Sequence, residues 1–424
     1  MNERVATDLA TGAVDVLGFD PFDPAFRADP YVHYARLRAG GPLRRGRAGV
    51  WVTTSHALCG QVLRDPRFGH QPGGASGVFR AVAPPVDRRS FLSLDPPDHT
   101  RLRRLVSKAF TARLVERLRP RISELVDDLL AEVSGETDLI AALAWPLPVA
   151  IISELLGVPP EDKNRFKAWS DALARGLDPD FMLPPAEIER RERARDEFID
   201  YFRALADRRR RAHGGRGGNG AGNRAVNGDD LLSALVAVSD QGDVLSEAEL
   251  LATCILLLVA GHETTVSLIG NGALALLRNP GQLAWFRAHP EAAASAVEEL
   301  LRYDPPVQLT ARSALEDVEL AGQRIERGQM ILLLIGAANR DPAVFADPDR
   351  LDLTRKAERH LAFGLGIHYC LGAPLARLEG QIALTKLFGR EVSLAGEVSY
   401  RDNLILRGPA TLPVRVGPPR LTPA

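Results

Sequence analysis

The chain has few cysteines, few aromatic residues and almost no net charge. Its 424 residues include three cysteines, Cys59, Cys254 and Cys370, which lie far apart and show no paired spacing. This pattern excludes the disulfide framework of a small secreted protein and favours a reducing cytoplasm. The formal net charge is −1 and aromatic residues make up 6% of the chain. This balance gives no reason to predict a nucleic-acid partner or an acidic membrane surface.

The sequence also lacks long hydrophobic runs. The N-terminal region shows no apolar segment of signal-peptide length, so we expect no targeting or anchoring element there. The longest apolar run, 250–261, is broken only by Thr253. It reaches about half the length that a bilayer requires before polar residues follow. We therefore expect a cytoplasmic monomer that does not bind membranes, with 1–19 as a flexible segment and 20–424 as one domain.

Apolar periodicity predicts a mainly helical protein with small sheets. The central helix should begin at Ser246, because Glu249 three residues later completes a capping box. Residues 250–259 are almost entirely apolar, as in a helix buried on every side. Strands are predicted over 307–313 and 330–335. The Gly- and Asn-rich segment 213–228 is predicted to be a mobile loop inside the domain.

One decapeptide contains the cysteine most suited to chemistry. Residues 363–372 read Phe-Gly-Leu-Gly-Ile-His-Tyr-Cys-Leu-Gly, and the next residues, 373–388, have helical spacing. Unpaired N–H groups at a helix start stabilise a thiolate, so we predict that Cys370 is an anion. Its neighbouring glycines let the backbone lie flat against a large planar group. The alternatives are a buried structural cysteine and a zinc site using His368, although no second Cys/His cluster is evident.

The decapeptide resembles the haem-binding signature of the cytochromes P450. The match falls on Phe363, Gly364, Gly366, His368, Cys370 and Gly372. The resemblance implies a single P450 fold, mainly α with a long central helix and small β-sheets. It also implies a haem b cofactor whose iron is bound by the Cys370 thiolate. The chain looks most like soluble actinobacterial P450s that tailor polyketides, macrolides and other natural products.

The middle of the central helix supplies a second match. Ala260-Gly261-His262-Glu263-Thr264-Thr265 places polar residues where a buried helix would carry leucine. Taken alone, the segment indicates a polar kink, because threonine can bond back to a carbonyl and glycine weakens a helix. In the family, an acid–alcohol pair here delivers protons during oxygen activation. The resemblance assigns that role to Glu263 and Thr264, with Ala260 and Gly261 leaving room for dioxygen.

Basic residues on three segments are implied as cofactor contacts. His99 and Arg103 stand four apart on one predicted helix face, where they could bind an anion or form a solvated surface. In resembling P450s, a His and an Arg at this spacing hydrogen-bond a haem propionate. Arg312 in the strand before the cysteine loop and His368 within the loop match two further propionate contacts.

Other matches concern stability and the substrate. Glu299-Leu300-Leu301-Arg302 matches the structural Glu-x-x-Arg pair of the family. A third residue, an arginine, completes that network, and both Arg350 and Arg355 lie in the matching stretch. The resemblance also implies substrate contacts from a set of mostly apolar residues: Val259, Val307, Gln308, Leu309 and Ile405.

The implied reaction is hydroxylation or epoxidation of a small hydrophobic substrate, either free or bound to a carrier protein. No flavin or iron–sulfur segment is evident, so ferredoxin and ferredoxin reductase are implied as electron donors. Arg104 and Arg377 are candidates to meet an acidic ferredoxin, or they are solvated arginines. A peroxide-driven peroxygenase, a P450-like carrier-protein recruitment module and a haem-thiolate gas sensor are the alternatives. The first two are disfavoured by the intact acid–alcohol pair and Cys370, and the third by the lack of an appended output domain.

Overall fold

The computed structural model describes residues 20–21, 23–46, 49–70, 90–178, 183–214, 230–240, 243–356 and 359–419. The segment 1–19, which we expect to be flexible, lies outside the described residues. So does most of the loop predicted over 213–228, since the helix before it is described as far as Gly214.

The protein is mainly helical, as the sequence predicts. The α-helices are α1 (Pro24–Ala28), α2 (Tyr31–Ala39), α3 (His56–Arg64), α4 (Asp98–Ala109), α5 (Ala112–Arg117), α6 (Arg119–Ala131), α7 (Pro146–Leu155), α8 (Lys163–Arg175), α9 (Pro185–Gly214), α10 (Leu231–Ala237), α11 (Glu247–Arg278), α12 (Pro280–Ala288), α13 (Ala293–Tyr303), α14 (Ile335–Ala338) and α15 (Ala373–Phe388). Short 3₁₀ turns occur at Phe91–Ser93, Pro160–Asp162, Pro290–Ala292 and Gly366–His368, and a π-helical turn occurs at Ile140–Ala144.

The strands are short and form small sheets. They are β1 (Leu43–Arg45), β2 (Trp51–Thr53), β3 (Phe68–Gly69), β4 (Gly135–Asp138), β5 (Ser239–Asp240), β6 (Asp243–Val244), β7 (Thr310–Ala314), β8 (Val318–Leu320), β9 (Gln323–Ile325), β10 (Met330–Leu333), β11 (Arg390–Leu394), β12 (Ser399–Tyr400), β13 (Pro409–Thr411) and β14 (Pro413–Pro419). The largest sheet has the order β1-β2-β10-β7-β3, and a second has the order β11-β14-β4. The remaining pairs are β12-β13, β5-β6 and β8-β9.

The chain forms two compact units. The first comprises the described residues within 1–81, 118–148 and 263–424, and the second those within 82–117 and 149–262. In the first unit, apolar side chains from β2, α3, β7 and β10 form a continuous core that includes Trp51, Val62 and Ile331. In the second, Phe166 of α8 packs against Phe198 and Phe202 of α9. The single domain predicted over 20–424 stays a prediction.

The long helix α11 begins where its capping residues place it. The Ser246 N–H donates to the Glu249 carboxylate at 2.8 Å, and the Glu249 N–H donates to the Ser246 hydroxyl at 3.2 Å. These reciprocal bonds satisfy two donors that every helix start leaves open. The helix then runs without interruption to Arg278, so Gly261 and Thr264 do not break it.

The apolar character of α11 continues beyond the run 250–261. By length and composition the helix could cross a membrane, but 72% of its most apolar window is buried inside the protein. The apolar run 250–261 is interrupted at His262 and Glu263, and apolar residues resume at Val266. A helix buried on all sides in a protein core has the same composition.

Candidate active site

The cysteine loop joins the 3₁₀ turn Gly366–His368 to helix α15. The Cys370 N–H donates to the carbonyl of Phe363 at 2.9 Å, which closes the loop on itself. Cys370 is partly exposed at the start of a helix of 16 residues. Cys59 and Cys254 are buried, and burial raises the pKa of the Cys254 thiol to about 12. Burial also raises the pKa of the Cys59 thiol. The geometry thus favours a reactive thiolate at Cys370 alone of the three.

Two glycines shape the approach to Cys370. Gly364 has φ +67° and Gly366 has φ +70°, in the left-handed region that other residues rarely adopt. A Cβ atom at Gly366 would lie 2.4 Å from the carbonyl oxygen of Leu63 in α3. Glycine at 366 therefore allows the loop to lie directly against α3. On the other side of the cysteine, a Cβ at Gly372 would lie 3.9 Å from the Cys370 Sγ.

The zinc alternative gains no support from the structure. Within the described parts of the chain, no three or more His, Cys, Asp or Glu side chains form a group that could hold a metal ion. A structural zinc ion needs about four such ligands. Cys370 with His368 is therefore an incomplete donor set for zinc, whereas one thiolate suffices as the axial ligand of a haem.

Arg312 and His368 lie in the same compact unit as Cys370. Arg312 is buried on β7, opposite Ile331 of β10, and its guanidinium donates to the carbonyl of Ala311 at 2.7 Å. A buried guanidinium is stabilised by an anion, so this position suits a carboxylate. The His368 ring lies edge-on to the His70 ring, with 4.6 Å between centroids. Sequence reasoning missed His70, because only the fold brings the end of β3 to the cysteine loop.

His99 and Arg103 belong to the second unit, where α4 places both beside Phe91. The guanidinium carbon of Arg103 lies 5.3 Å from the centroid of the Phe91 ring, and the His99 ring lies 6.4 Å from it. Burial and the charge of Arg103 lower the pKa of His99. A nearby carboxylate would act in the opposite direction. Arg103 therefore carries the positive charge, and the neutral His99 ring can still donate a hydrogen bond, so the pair suits an anion.

The polar segment of α11 exposes one side of the helix. Ala260 is exposed and Gly261 and Thr264 are half-buried, whereas Val259 is buried. Thr264 shares a helical face with Ala260 and with Gly261, because it is four and three positions away from them. His262 points elsewhere: its Nε2 lies 2.7 Å from the Ser170 hydroxyl and its Nδ1 lies 2.7 Å from the Leu258 carbonyl oxygen. Small and hydroxyl-bearing groups thus line the exposed face.

Glu263 is buried within an ion pair. Only 1% of its surface is exposed, and its carboxylate accepts a hydrogen bond from the Arg401 guanidinium. A buried carboxylate requires such a partner, because desolvation of an isolated charge is very costly. Arg401 lies 138 positions away in sequence, so no local signal could have identified it.

Two segments predicted to contact substrate are brought together. Val307 forms an isolated β-bridge with Leu406, and the Gln308 N–H donates to the Ile405 carbonyl at 2.9 Å. Val307 and Ile405 are half-buried, and Leu309 is buried. The apolar side chains of this pair of segments stay candidate substrate contacts. Val259 of α11, which belongs to the second unit, is buried and also stays a candidate.

Gln308 stays a candidate substrate contact, although its side chain is hydrogen-bonded within the protein. Its side chain is buried and accepts a hydrogen bond from the Tyr34 hydroxyl at 3.1 Å. Its amide nitrogen donates to the Pro305 carbonyl at 2.8 Å. Each hydrogen-bonding atom of the amide is thereby engaged within the protein. Gln308 therefore joins this segment to α2 through Tyr34.

The Glu-x-x-Arg pair forms a buried network, and the structure identifies its third residue. Arg302 donates two hydrogen bonds to Glu299, at 2.7 and 2.9 Å, and both side chains are fully buried. The Arg355 Nε donates to Glu299 at 3.3 Å. Arg350 contributes only its carbonyl oxygen, which accepts from Arg302, while its own side chain pairs with Asp352. Arg355 is therefore the arginine that completes the network.

Comparison with known proteins decides the family. The model of the family Cytochrome P450 matches residues 73–284 and 291–396. The chain belongs to the cytochrome P450 family. It is 43% identical to cytochrome P450 monooxygenase PikC of Streptomyces venezuelae, over 96% of this chain and 95% of that protein. It is 41% identical to 6-deoxyerythronolide B hydroxylase of Saccharopolyspora erythraea, over 94% of this chain and 97% of that protein.

A solved P450 structure shares the fold. The structure of P450BioI in complex with hexadec-9Z-enoic acid ligated acyl carrier protein has a TM-score of 0.82 and 37% sequence identity. The similarity covers 92% of this chain and all of that one. These matches confirm the mainly α P450 fold and show that the protein is a P450 monooxygenase of the soluble bacterial type.

The P450 cofactor is a haem with cysteine-ligated iron. The residues present fit such a group. A partly exposed cysteine at a helix start supplies one soft anionic donor. The glycines around it remove side chains from the loop, and the buried Arg312 supplies a cation suited to a carboxylate.

Proposed function

We propose that this P450 hydroxylates or epoxidises a hydrophobic secondary metabolite of the polyketide or macrolide class. The observation that carries the proposal is the match over almost the whole chain to a hydroxylase named for 6-deoxyerythronolide B. The candidate substrate contacts Val307, Leu309 and Ile405 are apolar, which suits a ligand with few polar groups. Bacterial relatives of this type are soluble, and we propose that this protein acts in the cytoplasm.

Cofactor contacts are proposed in the cysteine loop and among four basic side chains. Cys370 is proposed as the axial thiolate ligand, and Gly364 and Gly372 let the loop approach the macrocycle. Four basic side chains are proposed to hold the propionates: His99, Arg103, Arg312 and His368. When bound, the haem activates dioxygen and supplies an oxidant strong enough to attack a C–H bond. Positioning, proton supply and exclusion of water are tasks for the protein.

The proton supply is proposed to run through Glu263 and Thr264. Ala260 and Gly261 keep the same helical face free of bulk, which leaves space for dioxygen. The Thr264 hydroxyl can donate one proton while accepting another. The Glu263 carboxylate, held by Arg401, is the acid–base group one position before it. Such a positioned proton donor typically contributes about 10²–10⁴-fold to a rate.

Electrons are proposed to come from a ferredoxin and its reductase, the partners that bacterial P450s use. Arg104 is a candidate contact, since 39% of its side chain is exposed, against 28% for Arg377. Arg377 does not suit this role as well, because its guanidinium is engaged by the carboxylate of Glu298. We therefore propose Arg104 rather than Arg377 for ferredoxin contact.

The first experiment is an optical titration of the purified ferric protein. Free macrolactones, polyenes, aromatic polyketides and cyclic peptides are added while the Soret band is followed. We expect macrolactones to shift the band from the low-spin to the high-spin position, because a ligand near the iron displaces water.

Two outcomes of the titration would contradict parts of the proposal. Absence of a Soret band after expression with haem supplied would overturn the assignment of Cys370. A band that responds only to a substrate attached to a carrier protein would contradict a free macrolactone as the substrate. It would make this P450 similar in that respect to the relative whose structure was solved in complex with an acyl carrier protein.

A further inference from the structure

Glu298 lies beside the structural Glu299 on α13, but its carboxylate makes a different set of contacts. It accepts two hydrogen bonds from Arg377 of α15, with Nε to Oε1 at 2.6 Å and Nη2 to Oε2 at 2.8 Å. The Nε2 of His360 lies 2.9 Å from the same Oε2. Paired, parallel hydrogen bonds of this kind fix the orientation of both partners. We name Glu298, His360 and Arg377 the loop clamp.

The clamp contacts the cysteine loop on both sides of its turn. The guanidinium carbon of Arg377 lies 4.4 Å from the centroid of the Phe363 ring. Its Nη1 donates to the Tyr369 hydroxyl at 3.1 Å. Phe363 accepts the hydrogen bond from the Cys370 N–H, and Tyr369 directly precedes Cys370. The Arg377 guanidinium therefore contacts both Phe363, whose carbonyl bonds the Cys370 N–H, and Tyr369, which directly precedes Cys370.

The electrostatics keep the clamp charged. Burial alone would raise the pKa of Glu298, but hydrogen bonds from Arg377 and His360 lower it to about 2. The same bond to Glu298 raises the pKa of Arg377. Their side chains are 17% and 28% exposed, so solvent screens the pair less than an ion pair on the open surface. The Glu298–Arg377 pair is therefore ionised at neutral pH.

The loop needs such a support. Gly364 and Gly366 both have positive φ values, and glycine gives a chain more conformational freedom than any other residue. Hydrogen bonds of the loop backbone hold its ends together, as in the contact between Cys370 and Phe363. The Phe363 ring and the Tyr369 hydroxyl are in addition held by the clamp.

We propose that Glu298 and Arg377 are positioning residues that fix the cysteine loop and thereby the orientation of the Cys370 sulfur. This inference rests on the proposed function, because it takes Cys370 as the iron ligand. The consequence is that the clamp sets how firmly the thiolate is held and the reduction potential of the bound iron. Geometry and hydrogen bonding around an axial ligand are established ways to tune such a potential.

The test uses the haem-loaded protein and separates the effect of the charges of Glu298 and Arg377 from the effect of the geometry of their contacts. The variants are E298Q, R377Q, R377K and the double variant E298Q/R377Q. R377K keeps the positive charge but loses the planar fork and the stacking on Phe363. The control is K386Q, which removes another ion pair of α15, that with Asp127 on α6. Two readouts are taken without substrate: the reduction potential, and the fraction of the ferrous–CO complex with the thiolate-type absorption band.

If Arg377 acts by positioning the loop, R377K should have the same reduction potential and the same thiolate-type fraction as R377Q. E298Q and R377Q should shift the potential in the same direction, and the double variant should shift it no further, because each change releases the same loop. The fraction lacking the thiolate-type band should rise several-fold in these variants and stay at the wild-type level in K386Q.

Three results would overturn the proposal. A wild-type response from R377K would show that only the charge matters. Reduction potentials that shift in opposite directions in E298Q and R377Q, with the two shifts adding in the double variant, would also show that only charge matters. The reason is that the two substitutions remove charges of opposite sign. Unchanged potentials and spectra in all variants would show that the clamp does not reach the sulfur. These results differ from those expected if Cys370 is not the iron ligand, because the wild-type protein itself would then lack the thiolate-type band.

Discussion

A few individual side chains carry charge where the surroundings are apolar, and their partners determine what they can do. Glu263 is buried in α11 and is paired with Arg401, which is 19% exposed. The arginine holds the carboxylate at a defined position and offsets the cost of burying it. A proton-delivery role for Glu263 would therefore depend on Arg401 as a positioning residue.

We predict that R401M forms less product per electron consumed, by about tenfold to a hundredfold, because a misplaced carboxylate loses part of the contribution of a positioned proton donor. R401K should retain most of the coupling, since it keeps the charge. The measurement is product formed per electron supplied by reduced ferredoxin. The matched control is R415Q, which removes an exposed ion pair with Glu136 and should change nothing.

A wild-type yield of product per electron in R401M would contradict the role of Arg401. The same yield in both E263Q and T264A would contradict the proton-delivery assignment itself. The thiolate-type spectrum should be retained in all four variants, since none of these residues touches the cysteine loop in the contacts described above.

The residue scale is also where sequence and structure differ most. The sequence pointed to Cys370, Glu263 and Thr264 because short motifs surround them. It could not point to Arg401 or Glu298, whose significance depends on a partner 138 or 79 positions away. For the same reason it left Arg350 and Arg355 equal, although only the latter bonds Glu299 through its side chain.

At the scale of elements, the buried carboxylate of Glu299 joins the segment after α14 to α13. Glu299 accepts from Arg302 and Arg355 and also from the backbone N–H of Asp352, at 2.9 Å. Arg302 in turn donates to the carbonyl of Asn339 at 3.0 Å. Loss of one charged partner would leave the other buried and uncompensated.

We predict that E299Q lowers the free energy of unfolding by about 3–5 kcal/mol, the usual cost of breaking a buried ion pair. R355Q should also be clearly destabilising. R350Q should change the free energy by no more than about 0.5 kcal/mol, because that side chain is 66% exposed. Urea unfolding of the haem-loaded proteins provides the measurement. Equal effects of R350Q and R355Q would contradict the assignment of Arg355.

Most elements were predictable where periodicity and end signals agree. Helix α15 lies over the predicted residues 373–388, and α11 starts within one residue of its predicted cap. Apolar periodicity over 114–133 predicts one amphipathic helix, but the structure has two helices there, α5 and α6, which are separated at Leu118. Pro120 lies in the first turn of α6, where its missing N–H costs nothing, so the chain starts a new helix there.

At the scale of the whole molecule, the family was predictable because several motifs occur in one order along the chain, and the family match confirms it. The substrate was not predictable to the same degree. The candidate substrate segments 307–309 and 404–406 meet only in the folded protein, and their sequences specify apolar character without shape. The substrate class is therefore argued from relatives and tested with ligands.

The most direct test of the central claim is oxidation of a macrolactone under isotopically labelled dioxygen. The haem-loaded protein is supplied with reduced ferredoxin, and the product is analysed by mass spectrometry. We predict a product that carries one labelled oxygen atom, formed only when both dioxygen and the electron donor are present. A product without label, or equally rapid turnover with peroxide alone, would contradict a monooxygenase that draws its electrons from ferredoxin. Failure to oxidise any macrolactone, while another class in the panel is oxidised, would contradict the proposed substrate.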